Sequence, residues 1–435
     1  MRLMHVFAGV AMMACTATAV SAATITVATV NNVDMIIMQR LSSKWEQQTG
    51  NKINWVVLEE NVLRQRVTTD ISTKSGQFDV ITIGSYETPL WGKQGWLASL
   101  DDFPASYDYN DVFKNVRDAL SANGKLYAVP FYAESSFTMY RKDLFDKAGL
   151  TMPDHPNYGQ IEQFAAKLTD KDHQQYGICL RGKPGWGENM AFVDTLVNTF
   201  GGRYFDMNWQ PQINTQPWHD AITFYVNMLH NYGPPGGPQN GANEGQALFA
   251  TGHCAMLVDA TSIAGRVYDK SMSQVADKTA FTAAPTQVTP NGSAWFWAWS
   301  LAIPQTSKQI PVAKQFLAWS TSKDYVKLVG DTDGWTVAPP GTRQSTYDNP
   351  EYVKAAPFAK AVAAAILSAD LTHPTKDPVP YTGIQYVAIP EFQAIGTQVG
   401  QFIAAALGGQ MSVDEALKKS QAAALSAVQQ AGYIK

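Results

Sequence analysis

A chain of 435 residues that carries 33 Lys plus Arg against 37 Asp plus Glu offers no excess of positive charge to hold a polyanion. Nucleic acid and anionic membrane surfaces are therefore excluded as main partners. The length exceeds what one hydrophobic core usually serves, so two domains or lobes are expected. Beyond the N-terminus no stretch reaches the roughly 18 consecutive apolar residues of a membrane helix.

The chain begins with Arg2, an apolar run over Val6–Ala14 and the small residues Val20-Ser21-Ala22-Ala23. That order reads as a secretory signal peptide over residues 1–23, cleaved after Ala22 or Ala23, and sends the mature chain out of the cytoplasm. Cys15 leaves a lipoprotein alternative open, although Met12 stands where Leu is usual. Cys179 and Cys254 then remain, too few for a disulfide framework or a zinc site without further ligands. Each lies in an apolar stretch, and two separate buried thiols are expected in preference to one bridge.

Residues 24–29 alternate apolar and polar side chains as a strand does, and Asn31-Asn32 break it. Ile37, Leu41 and Trp45 recur at helical spacing until Gly50. A strand over 53–58, a helix over 62–73 capped by Asn61, and a strand opening at Phe78 complete a βαβαβ pattern. It predicts a largely parallel sheet with helices on both faces, and a ligand held beyond the carboxyl ends of its strands. The loops 31–34, 59–61 and 84–90 are thereby singled out. Further on, strands are predicted at 137–140, 177–180, 255–259 and 295–303, and helices at 161–168, 188–200, 217–231, 351–367, 390–407 and 412–431.

Several stretches together resemble the extracellular solute-binding proteins of the maltose-binding-protein group. They include Lys44-Trp-Glu-Gln-Gln-Thr-Gly50, Gly95-Trp-Leu-Ala-Ser-Leu-Asp101, Gly124-Lys-Leu-Tyr-Ala-Val-Pro130, Met139–Gly149 and Phe249–Met256. Leu58–Arg64, Leu180-Arg-Gly-Lys183 and Ala431–Lys435 are similar to its sorbitol- and mannitol-binding branch. His155-Pro-Asn-Tyr158 departs from the family, whose members often carry Thr-Trp soon after Pro153. The resemblance implies an α/β fold of two lobes, 24–131 plus 298–338 and 132–297 plus 339–435, joined by crossover strands around a cleft. It further implies a monomeric periplasmic protein that captures a small neutral polyol or sugar by hinge closure and hands it to ABC permease subunits, with no cofactor and no metal.

A polyol site needs hydrogen-bonding groups along one edge and flat apolar surface for the carbon stem. Trp295, Trp297 and Trp299, spaced by two, share one face of a strand; stacking falls to Trp297 and Trp295, against plain core filling. The resemblance assigns ligand contacts to Asn32, Tyr86 and Glu134, and faces Arg181, Lys183 and Trp186 toward the cleft. Arg181 either grips hydroxyls or keeps Glu134 or Asp259 charged. Glu60 is taken over Glu59, Asp259 closes a strand or caps a helix, and Trp335 stacks on ligand or packs the hinge. Tyr381–Tyr386 form the far wall. The rival reading is an exported carbohydrate-active enzyme with Glu134 and Asp259 as paired carboxylates. No G-x-S-x-G, H-E-x-x-H or P-loop motif accompanies them, and the seven His lack ligand spacing. A chemoreceptor accessory with the same fold is the third reading.

Overall fold

A computed structural model of the protein describes residues 22–435, so the expected signal peptide lies outside the described residues apart from its last two positions. Its first sheet has five strands. Thr24–Val30 runs parallel to Lys52–Leu58 on one side, in register from Thr24 opposite Lys52 to Val30 opposite Leu58, and parallel to Val80–Ile83 on the other. Trp297–Ala302 enters antiparallel to Val80–Ile83, and Ala128–Glu134 closes the far edge. Ile25, Val27, Ala28, Val80 and Ile81 are fully buried, so both faces of the sheet centre are covered even though residues 24–29 alternate apolar and polar side chains.

The helices that follow the first two strands begin at the carboxyl end of the sheet. Val33–Thr49 starts where the Asn32 side chain accepts the Met35 N–H at 2.9 Å, and stops at Gly50 in the left-handed conformation. Glu60–Thr73 is capped by Glu59 and not by the expected Asn61. The Glu59 carboxylate accepts the N–H groups of Asn61 and Val62, where a negative charge also suits the helix dipole.

At Ser135 the chain passes from Ala128–Glu134 directly into Ser136–Arg141, the centre of a second, antiparallel sheet flanked by Met256–Ala260 and Thr279–Ala283. Asn157, in the departing His155–Tyr158 segment, caps Tyr158–Leu168 through a capping box with Gln160. The helix expected over 351–367 is two helices, Pro350–Ala355 and Ala359–Ser368, because Pro357 cannot continue a helical ladder. Arg343, beyond the expected 338/339 boundary, is buried: it donates to the carbonyls of Tyr107, Asp108 and Thr321 and pairs with Asp111.

The expectation of two separate thiols is corrected: Cys179 and Cys254 form a disulfide, with Cα atoms 5.8 Å apart. Residues 177–180 add no regular strand, yet the Tyr176 N–H donates to His253 and the Cys179 N–H to Met256, so the two segments run side by side. The bridge thus ties the segment leading to Arg181 to the strand that ends in Asp259.

Candidate functional site

The carboxyl ends of the first-sheet strands and the end of Met256–Ala260 wall a cavity of about 420 Å³. Asn32, Asp34 and Glu60 come from the starts of the first two helices, and Glu134 from the strand that leads into the second sheet. Arg181, Lys183, Trp186 and Glu188 come from the loop after Cys179, and Ser262 and Arg266 from the turn after Ala260.

One wall is aromatic. Trp295, Trp297 and Trp299 all face the cavity, and Trp186 packs edge-on to Trp297 with ring centroids 5.7 Å apart. Trp297 lies so close over Gly84 that a Cβ there would fall 1.9 Å from the ring, so only glycine lets the indole rest on the backbone. Arg64 is layered into this wall, its guanidinium 3.8 Å from the centre of Trp186 and 4.8 Å from that of Trp299. It is held there by Glu60 at 2.8 Å and Glu87 at 2.7 Å.

The charges facing this wall are largely committed. Arg181 forms a bidentate pair with Asp259, both groups buried, and donates to the Gly187 carbonyl at 3.0 Å. Burial opposes its charge, but the adjacent Asp259 outweighs burial and holds the guanidinium above its ordinary value. Lys183 reaches Glu59 at 2.7 Å and Glu188 at 3.7 Å; these carboxylates raise its amine despite partial burial. Arg266 reaches only the Gln246 side chain, at 3.5 Å. Glu134 accepts from Ser262 and, at 3.3 Å, from the Trp295 indole. Burial pushes the Glu134 carboxyl up to about 7 against the help of Ser262 and Arg181. Burial, reinforced by Glu60, likewise takes Glu188 to about 7.

The structure therefore brings Asn32, Glu60, Glu134, Arg181, Lys183, Trp186, Trp295 and Trp297 to one cavity. Three expected residues lie off its wall. Tyr86 is buried beneath Trp186 and donates to the Ile389 carbonyl at 2.9 Å, because the turn after Val80–Ile83 aims its ring inward. Asp259 is sealed behind Arg181, accepts the Ala260 N–H and caps no helix at Ser262. Trp335 rests on Gly330, while the next three residues, Thr336 to Ala338, face the cavity. Of Tyr381–Tyr386, Gln385 reaches the wall, held by the Phe296 backbone. Asp34, Arg64 and Glu188 are not among the expected contacts, although loop 31–34 is singled out, and Trp299 is expected on the shared indole face but not as a contact. Arg64 was within reach, since it stands four residues after Glu60 and so on the same helix face.

An α/β chain whose two larger sheets meet at a cavity walled by indoles and carboxyl groups has the chemistry to hold a small polar molecule. The chain belongs to the bacterial extracellular solute-binding protein family, whose profile matches residues 32–327. A mannitol-binding protein of Pseudomonas aeruginosa is 54% identical over 415 residues, 95% of each chain. An ABC transporter solute-binding protein of Agrobacterium vitis S4, solved with bound D-mannitol, is 54% identical and covers 95% of this chain and 100% of its own, with a TM-score of 0.94. A solute-binding protein of Agrobacterium radiobacter K84 in complex with ribitol is 25% identical with a TM-score of 0.82, over 93% of this chain and 98% of its own. The expected family and its periplasmic-binding-protein-like fold are thereby met.

Proposed function

We propose that this protein is the periplasmic substrate-binding component of an ABC importer, which encloses a sugar alcohol of the mannitol or sorbitol kind and delivers it to the permease. The observation that carries this reading is the state of the cavity's charges. Arg64, Arg181 and Lys183 are each paired with a protein carboxylate. These three are not free to anchor a ligand carboxylate; Arg266, which among the described residues has the Gln246 amide as partner at 3.5 Å, is the cation of the wall left without a carboxylate, while Glu134 keeps lone pairs for hydroxyl donors and the indoles offer a face for C–H groups. The 54% identity to a mannitol-binding protein supports the same choice.

Asn32, Glu60, Glu134, Arg181, Lys183, Trp186, Trp295 and Trp297 are the binding groups in this reading. Glu134 and Trp297 touch solute, and Asp259 acts through Arg181. The lobes close as units, 24–131 with 298–338 against 132–297 with 339–435, the segment around Arg343 travelling with the first. Solute bridging both lobes stabilises the closed form that the permease recognises. The protein captures and releases its ligand unchanged.

A thermal-shift screen against hexitols, pentitols, hexoses, disaccharides, aldonates and amino acids tests this. Hexitols raise the midpoint of the wild-type protein, and Glu134→Ala and Trp297→Ala abolish the rise. A rise with some other class and none with any polyol refutes the reading.

A further inference from the structure

One acid in the cavity has no partner. Asp34 stands on the first turn of Val33–Thr49, in a part of the wall shared with Val33, Tyr132 and Tyr352. Glu60 has Arg64, Glu134 has Ser262 and Trp295, and Glu188 has Lys183 and the Ala242 N–H. Among the described residues no Lys, Arg or His forms an ion pair with Asp34. Its carboxyl is helped only by its own backbone N–H, and burial pushes it up to about 7. The groups that face it from the packed elements are phenols. Tyr132, Tyr325 and Tyr352 are close enough for its charge to raise each of their pKa values. The Tyr132 hydroxyl already accepts from Asn32 at 3.3 Å.

Asp34 is half-buried, and among the described residues its carboxyl meets no cation and no side-chain donor; because it lines the cavity, a cavity occupant can supply the missing donor. A metal ion would need further ligands, and no group of three His, Cys, Asp or Glu among the described residues could supply them; in the polyol reading an ammonium group is not the occupant either. Hydroxyl donors remain. We infer that Asp34 is a further ligand-gripping residue, whose carboxylate accepts a hydroxyl of the bound polyol at the Tyr132 and Tyr352 side of the cavity. The inference rests on the polyol function proposed above. It also gives the site a means of rejection: a sugar acid with its carboxylate at this end meets Asp34 with like charge and no cation between them.

The test is isothermal titration calorimetry of wild-type protein, Asp34→Ala and Asp34→Asn with mannitol and a panel of monodeoxymannitols. Loss of a hydrogen bond to a charged group is expected to weaken mannitol binding by Asp34→Ala about 10- to 100-fold. Wild-type protein binds one monodeoxy analogue correspondingly weakly, whereas Asp34→Ala binds that analogue and mannitol alike. The ligand-free thermal midpoint of both variants stays at or above that of wild type, because an unpartnered acid has been removed. Asp34→Asn carries the same comparison should the alanine variant fail to fold. Mannitol affinity in the variants within about twofold of wild type overturns the role of Asp34 and leaves the polyol reading standing. Weakened binding with undiminished discrimination across the panel has the same consequence. Wild-type protein that binds no hexitol overturns the polyol reading, and this inference with it.

Discussion

Gly187 follows Trp186 on the loop after Cys179, which reaches the Glu60–Thr73 helix. A Cβ at this position would stand 2.0 Å from the Glu60 Oε1 atom and 2.9 Å from Arg64 Nη2, so alanine cannot enter without displacing one of them. Its φ lies outside the left-handed region, so alanine carries no backbone strain of its own. Glu60 cannot simply swing aside. Its Oε1 accepts from both Nε and Nη2 of Arg64, and Arg64 is pinned in turn by Glu87 and Trp186. Giving up a charge-assisted hydrogen bond costs about 1.5–3 kcal/mol. In the proposed two-lobe closure Gly187 and Glu60 stand on opposite lobes, so the penalty falls on the proposed closed form. Lowering the closed population by that amount weakens apparent affinity by about 10- to 150-fold. We expect Gly187→Ala to show this loss in calorimetric titration with mannitol, with an unchanged ligand-free melting midpoint. X-ray scattering should report a smaller ligand-induced compaction than in wild type. Wild-type affinity in this variant would refute the reasoning, because the Gly187 contact could not then be one that ligand-driven closure has to form.

Other perturbations read different parts of the structure. Asp259→Ala leaves the Arg181 charge buried without its partner and is expected to lower unfolding free energy by about 3–5 kcal/mol in urea; a loss below about 1 kcal/mol contradicts a tight buried pair. The paired Cys179→Ser and Cys254→Ser change opens a link across 75 residues. It should cost about 2–4 kcal/mol, and reductant should then no longer affect the unfolding midpoint of the variant. The acidity of Glu134 fixes a sign. Its ordinary value of 4.5 applies when unfolded and burial raises it to about 7 when folded, so the folded chain holds the extra proton in between. The contribution of Glu134 to ligand-free stability therefore falls as pH rises through that window and levels off above it. Asp34 and Glu188 act in the same direction. Glu134→Gln should flatten the midpoint-versus-pH curve, and a wild-type midpoint that climbs from pH 4.5 to 7 is the contrary result.

Much of the architecture was legible because it rests on local chemistry. The alternating stretch at 24–29, the apolar strand at 53–58, the helix stop at Gly50 and the indole triplet are properties of neighbouring residues, and each appeared where its pattern placed it. Local reading failed where two local solutions compete. Glu59 and Asn61 are both competent caps, and the carboxylate won because it satisfies two N–H groups and meets the positive end of the helix. The long Ala-rich pattern after 350 concealed a break that Pro357 imposes.

The sequence by itself determined the alternation of strands and helices, the tryptophans that share a face, and the loops that gather at the carboxyl ends of the strands. All of these depend on spacings of two to four residues. Which side chains meet was decided only by the tertiary structure. Cys179 finds Cys254, Arg181 takes Asp259 out of the cavity, Arg64 slides between indoles, and Asp34 is left alone. The physical reason is that each outcome compares partners from 4 to more than 100 residues away, as Arg64 with Glu60, Glu87 and Trp186 shows. Strand register and the packing of elements from the two larger sheets set those distances, and both are properties of the whole packed chain.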